Sequence, residues 1–327
     1  MSPSSTGSAQ ALISVVLPAH NEEAGISRAF DVIGRTLDEC GVSWEIIAVD
    51  DGSRDQTFAV ISSIARNDSR IRGIHFSRNF GKEAALSAGL DFATGDAVIP
   101  MDADLQDPPE LVPRMIARWL DGVPVVLAVR ENRASDGWLK SSTSAAFYAV
   151  HNHLADTPLP PNAGDFRLID RTVADVVRAL PERQRFMKGL LSWPGFPSEV
   201  LTYTRPARAY GKTKWNYARL MNLAVEGITS FSTAPLRAST VIGAVFAFIS
   251  IIYGGFILVR TLVYGVDMPG YASVFVAVVF IGGVQLLSLG ILGEYVGRIY
   301  MESKHRPVYV VRAVSERPGD PGAPTRP

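Results

Sequence analysis

Between residues 12 and 128 the chain alternates short apolar runs with longer segments in which apolar residues recur every three or four positions. Residues 13–17, 45–49, 71–75 and 96–100 read as four strands, and residues 24–40 and 55–66 have helical spacing. That alternation predicts an α/β domain built on a largely parallel sheet, in which ligands collect beyond the carboxyl ends of the strands. The pattern then changes. Residues 238–259 and 271–293 are uncharged and apolar, each long enough to cross about 30 Å of hydrocarbon as a helix. Both contain Gly and Ser, which suit close packing between membrane helices. A buried hairpin in a soluble domain is the competing assignment. Only residues 261–270 join the two stretches, so both ends of the hairpin are expected on one side of the bilayer.

Basic residues mark that side. Arg205, Arg208, Lys212, Lys214, Arg219 and Arg237 precede the hairpin, and Arg298, Lys304, Arg306 and Arg312 follow it. The short loop carries Asp267, with Arg260 at its edge as a single charge against the assignment. The imbalance predicts an inner-membrane protein with its bulk and both termini in the cytoplasm. Residues 1–10 form a polar leader without the features of a signal peptide. The lone Cys40 excludes an internal disulfide and reads as a small hydrophobe. With 32 Lys plus Arg against 32 Asp plus Glu, net charge gives no support to wholesale nucleic-acid binding. Residues 138–154 and 215–231 mix aromatic, aliphatic and polar positions as helices lying at a membrane boundary do, although packing against the sheet would produce the same mixture. The expected layout is a leader (1–10), a cytoplasmic domain including these interface helices (11–231), the hairpin with its flanks (232–297), a return segment (298–312) and a disordered Pro-rich tail (313–327).

Two acidic groups sit where the sheet's carboxyl end is expected. Asp50-Asp51-Gly52-Ser53 follows the second strand; it reads either as a turn with a helix cap or as a nucleotide contact. Asp102-Ala103-Asp104-Leu105-Gln106-Asp107 follows the fourth. Asp102, Asp104 and Gln106 alternate and would face one side of an extended segment, and such oxygen ligands suit Mg²⁺ or Mn²⁺ held jointly with a diphosphate. Asp107 would cap a helix beginning at Pro108-Pro109-Glu110. The first strand leads into Pro18-Ala19-His20-Asn21-Glu22-Glu23, without a Gly-rich dinucleotide turn or a nucleotide-triphosphatase loop. His75, His151 and His153 lack a coherent set of zinc co-ligands.

Five blocks, taken in order, carry a resemblance: Val49-Asp50-Asp51-Gly52-Ser53, Ser77-Arg78-Asn79-Phe80-Gly81-Lys82-Glu83, Met101 through Glu110, Gly164-Asp165-Phe166-Arg167-Leu168-Ile169-Asp170, and Gly211-Lys212-Thr213-Lys214-Trp215. With the hairpin and the closing Gly290 to Arg298, the chain resembles family 2 glycosyltransferases. Within them it is most similar to polyprenyl-phosphate sugar transferases of the bacterial undecaprenyl-phosphate glucosyltransferase branch, related to dolichyl-phosphate mannose synthase. The resemblance implies a GT-A-type nucleotide-sugar-binding domain and inverting transfer of a hexose, glucose from UDP-glucose first, to an undecaprenyl- or decaprenyl-type phosphate. It further implies that Pro18, Ala19, Glu22 and Asp51 contact the nucleotide. Asp102, Asp104 and Gln106 would surround the metal, with Asp102 also at the donor. Asp165 would lie near the reacting sugar, and Arg205, Arg208, Lys212 and Lys214 would form a basic flap over the diphosphate.

The chemistry gives these residue types their use. The departing diphosphate gains negative charge that a divalent ion and basic side chains stabilise, and a lipid phosphate attacks already ionised. Its difficulty is repulsion from the donor. Arg130 and Arg133, then Lys140, are the candidates to offset that repulsion at the acceptor phosphate. Asp165 is expected to position sugar hydroxyls or steer a basic partner, with a buried pair to Arg167 or Arg185 as the structural alternative. Expected partners are the nucleotide sugar, the lipid phosphate, the bilayer, a separate flippase and a downstream glycosyltransferase. A homo-oligomer would enlarge the membrane anchor, though the sequence gives no count. The rival assignments are a glycosyltransferase acting on a carbohydrate hydroxyl, which needs a general base, and an inactive membrane scaffold.

Overall fold

The computed structural model describes residues 11–130, 163–183, 185–203, 234–265 and 270–315. Strands β1 (Leu12–Ala19), β2 (Ser43–Asp50), β3 (Ile71–Phe76) and β4 (Ala97–Pro100) fall on the four apolar runs, and helices α1 (Ile26–Glu39) and α2 (Thr57–Ala65) occupy the segments of helical spacing. Helix α3 (Lys82–Phe92) follows β3, and a 3-10 turn at Pro109–Leu111 leads into α4 (Val112–Leu120). Then come β5 (Val125–Arg130), β6 (Ala163–Asp170), α5 (Arg171–Ala179), the short α6 (Met187–Leu190) and β7 (Ser198–Tyr203). Two long helices, α7 (Ala234–Tyr264) and α8 (Tyr271–Ser303), precede a last strand, β8 (Val311–Val314).

The strands form one sheet in the order β7-β5-β6-β4-β1-β2-β3-β8. Strands β1 to β4 are parallel, as their alternation with helices requires, but β6 runs antiparallel to β4 and β5, and β8 antiparallel to β3. The sheet is therefore mixed. Neighbouring residues on one strand are buried on opposite faces: Val15, Leu17 and Ile46 pack on the side of α1 and α4, while Val16, Ile47 and Val49 pack on the side of α3 and α5. Burial on both faces explains why these strands read as unbroken apolar runs. Helix α3 sits especially close, because a Cβ on Gly89 would lie 2.0 Å from Val16 Cγ1. That contact sets how closely α3 lies over β1.

The hairpin helices place large apolar side chains outward, Phe248, Ile251, Leu262 and Leu286 being 66%, 73%, 78% and 71% exposed. Residues 238–264 and 280–303 are long and apolar enough to cross a membrane. A soluble chain would bury such faces, so the alternative of a buried hairpin is not realised. Beyond α8, the backbone returns to the sheet. Tyr309 stacks on Phe76 at 5.0 Å and its hydroxyl donates to Asp91 at 2.7 Å. Ser315 closes β8 with two bonds to Gly73: its N–H donates to the Gly73 carbonyl at 2.8 Å and its hydroxyl accepts the Gly73 N–H at 2.7 Å. Residues 313–315 thus belong to the fold and not to a disordered tail, and α8 continues past residue 297. The foot of α8 is also tied to the domain, since the Arg183 N–H donates to Glu302 Oε1 at 3.0 Å and Arg183 Nη1 to the Arg306 carbonyl at 2.8 Å.

Substituting Ser315→Ala leaves the buried Gly73 N–H without its acceptor. Chemical unfolding of the detergent-solubilised protein should show a loss of about 1–3 kcal/mol.

Candidate active site

The carboxyl ends of β1, β2 and β4 open onto a cleft of about 330 Å³ lined by Pro18, Ala19, His20, Glu22, Asp51, Asn79, Gly81, Lys82, Asp102 and Asp104. It lies where β1 is flanked by β2 on one side and β4 on the other, the crevice at which the chain's winding reverses. The two acids after β2 divide their duties. Asp50 is fully buried; it accepts the Ser53 N–H at 3.1 Å and pairs with His75 Nδ1 at 2.7 Å, and His75 stacks on Phe58. Asp51 lines the cleft and also organises it, accepting the Phe80 N–H at 2.6 Å and the Gly81 N–H at 2.9 Å. Burial raises its carboxyl pKa, against the pull of those two N–H groups and of His20. Gly52 is required directly after the two acids, because at φ +64° a Cβ would meet the Arg78 backbone at 2.3 Å.

The segment after β4 is a turn, with Leu105 at φ 54°, not the extended stretch that alternation of Asp102, Asp104 and Gln106 implied. Asp102 and Asp104 still reach the cleft. Gln106 does not line it; its backbone N–H donates to Asp104 Oδ1 at 3.1 Å and its amide nitrogen donates to Asp104 Oδ2, so it orients that carboxylate from behind. Asp107 also differs from expectation. Its Oδ2 accepts the Asp102 N–H at 3.3 Å, and the 3-10 turn that follows has no side-chain cap.

Asp165 arrives from the antiparallel strand β6. β6 pairs with β4 at Ala97–Asp170 and Val98–Ile169, and Asp165 lies further along β6, toward the carboxyl end of β4. Lys82, the first residue of α3, bridges it to Asp102: its Nζ lies 2.5 Å from Asp102 Oδ1 and 2.9 Å from Asp165 Oδ2. Burial works against the ammonium, but the two carboxylates outweigh it and raise the Lys82 pKa. Burial likewise opposes ionisation of Asp165, yet Lys82, Lys188 and Arg167 hold its pKa below the ordinary value. Asp165 Oδ1 is buried without a hydrogen-bond partner. Arg185 instead donates to the carbonyls of Glu182 and Leu180. Next to Lys82, burial pushes the Glu83 carboxyl up to about 7, with Asp165 adding to the rise, although Glu83 Oε2 accepts the Met187 N–H at 2.7 Å. Glu22 is raised first by burial and then by Asp104, Asp55 and Asp102.

Pro18, Ala19, Glu22, Asp51, Asp102 and Asp104 are therefore brought to one cleft, with Asp165 joined to it through Lys82. Arg130 ends β5. Arg133, Lys140, Arg205, Arg208, Lys212 and Lys214 lie outside the described residues, as do His151, His153 and the segments 138–154 and 215–231. His20 and Lys82 also line the cleft and Glu83 adjoins it, none of them a candidate from the sequence alone. Lys82 does leave one signal there: a Lys opening a helix works against the helix dipole, and its placement calls for an acidic partner. The oxygens of Asp102 and Asp104 are hard donors of the kind Mg²⁺ and Mn²⁺ prefer, but among the described residues no third His, Cys, Asp or Glu joins them in a complete metal site, so they fit a divalent ion whose other ligands come from a bound diphosphate or water.

Because Glu83 titrates near 7 in the fold but about 4.3 when unfolded, the unfolded chain loses its proton first as pH rises. Stability conferred by the neutral acid falls through that window and the penalty persists above it. Glu83→Gln, which keeps an acceptor for Met187, should raise the melting temperature at pH 8 and leave it unchanged at pH 4, as read by thermal scans at both values.

The family model for glycosyl transferase family 2 matches residues 14–178, and a model described as the GtrB C-terminal hairpin matches residues 234–299. A bactoprenol glucosyl transferase of Shigella phage SfV is 48% identical over 300 residues, covering 92% of this chain and 98% of its own. An uncharacterized glycosyltransferase of Synechocystis is 46% identical over 299 residues, covering 91% and 94%. Among solved structures, glucosyl-3-phosphoglycerate synthase of Mycobacterium tuberculosis with UDP is 25% identical, covers 67% of this chain and 80% of its own, and superposes with a TM-score of 0.46. By the family model and by these full-length relatives, the chain belongs to glycosyl transferase family 2.

Proposed function

We propose that this glycosyltransferase moves glucose from UDP-glucose onto the phosphate of a polyprenyl lipid, with inversion at the anomeric carbon, at the inner face of the cytoplasmic membrane. The observation that carries the reading is the acidic cleft of Asp102, Asp104 and Asp165 in a chain that also carries two outward-facing apolar helices. The phage relative's name, bactoprenol glucosyl transferase, supports both glucose and the lipid acceptor.

In this mechanism an acceptor phosphate oxygen attacks C1 as the bond from C1 to the donor diphosphate breaks, and the electron pair leaves with the diphosphate. An α-linked donor gives a β-linked product. Glu22 and Asp51 hold the nucleoside end of the donor, and Asp102 and Asp104, the latter oriented by Gln106, face its diphosphate. These two carboxylates would hold Mg²⁺ or Mn²⁺, which when bound neutralises the departing charge. The basic flap of Arg205, Arg208, Lys212 and Lys214 would close over the same group. Arg130, Arg133 and Lys140 would receive the acceptor phosphate. Asp165, held ionised beside Lys82, would orient the sugar. A phosphate nucleophile needs no base to deprotonate it, so Asp165 has no proton to remove. Keeping the isoprenoid tail in the bilayer avoids exposing it to water at about 0.8 kcal/mol per CH₂. A flippase would then expose the product outside, for use by a downstream glycosyltransferase.

Purified protein with Mg²⁺ or Mn²⁺ should transfer labelled glucose from UDP-glucose to polyprenyl phosphate, in preference to other nucleotide sugars. Label appearing on a carbohydrate hydroxyl and not on the lipid phosphate would reject the acceptor class, and no transfer across a donor panel would favour a scaffold. Asp104→Ala should lower kcat by about 10²–10³-fold without unfolding the protein. Unchanged turnover would remove Asp104 from the metal site.

A further inference from the structure

Among the described residues lining the cleft, Lys82 is the one Lys or Arg side chain, and it is committed to both flanking acids at 2.5 and 2.9 Å. An ammonium that close to Asp102 Oδ1 takes the space and the lone pair that a divalent ion on the same oxygen would need, since such an ion binds at about 2.0–2.2 Å. Two cations on one carboxylate also repel. The surroundings are also acidic: Glu22 and Asp104 line the same cleft and Asp165 shares the ammonium. We propose that Lys82 is a placeholder cation: it occupies the metal position of Asp102 while the site holds no donor, and it gives up that oxygen when the donor's diphosphate arrives, so that divalent-ion binding is coupled to donor binding.

Two features fit this exchange. Lys82 opens α3, an 11-residue helix, so an anion drawn to its ammonium lies at the positive end of the helix dipole. Its other partner, Asp165 Oδ2, retains the ammonium at the cleft once Asp102 has been released. Lys suits such a handover better than Arg would, because it is a point charge on a flexible stem and not a fixed fork. The consequence is a site that ignores free metal and assembles around the metal–donor pair.

The inference rests on the metal-dependent reading above, and Mn²⁺ binding to the full-length protein in detergent, followed by the electron paramagnetic resonance of free Mn²⁺, separates the two. For the wild type, Mn²⁺ should bind on the order of ten-fold more tightly with UDP than without it. Lys82→Met should bind Mn²⁺ without UDP on the order of ten-fold more tightly than the wild type, and Lys82→Arg should not. A structural role for Lys82 would instead weaken Mn²⁺ binding in Lys82→Met. If Lys82→Met binds no more tightly than wild type without UDP, while both bind Mn²⁺ with it, the placeholder is overturned and metal dependence stands. If neither protein binds Mn²⁺ even with UDP, the metal-dependent reading fails and the placeholder with it. Should Lys82→Met not fold, equal Mn²⁺ affinity of the wild type with and without UDP is sufficient to overturn the coupling.

Discussion

Crowding of negative charge at one end of the sheet is the constraint around which this fold is arranged. Asp102 and Asp165 converge on one ammonium, the turn after β4 adds Asp104, and Glu22 lines the same cleft from the loop after β1. Carboxylates a few ångströms apart repel by several kcal/mol at the effective dielectric of a protein surface. The Lys82 ammonium offsets that repulsion, and its position depends in turn on how closely α3 packs over β1, which Gly89 permits. An acidic cleft held in this way is ready for a cation and for the phosphates that accompany one.

The second constraint is mechanical. A transferase acting on a membrane-anchored phosphate must keep its cleft at a fixed height, and the chain is tied to its hairpin from both directions. The segment after α8 adds β8 to the edge of the sheet beside β3, and Arg183 grips Glu302 and Arg306 at the foot of α8. These bonds are short-range and specific, whereas the outward faces of α7 and α8 supply a non-directional attachment to lipid. Position comes from the former and attachment from the latter.

Much of this was legible along the chain. The four parallel strands, the acidic groups at their carboxyl ends and the apolar hairpin follow from local periodicity, because a strand buried on both faces must be apolar throughout and a bilayer-crossing helix must be long and uncharged. Other features were not. Alternation along an extended segment sets Gln106 on the side of the metal-facing acids, and the left-handed Leu105 breaks that alternation. Residues 313–315 lie beside a Pro-rich run, yet they complete the sheet through a partner 242 positions away.

The sequence by itself determined the class of fold, the family, the membrane hairpin and half of the residues facing the cleft, since each depends on short motifs whose residues lie within a few positions of one another. Only the tertiary structure decided which acid meets which. Whether Asp50 or Asp51 faces the cleft, and whether Asp165 pairs with an arginine or with Lys82, depends on strand register and on the approach of α3. Those are contacts between segments distant in the chain, settled by packing against a shared core.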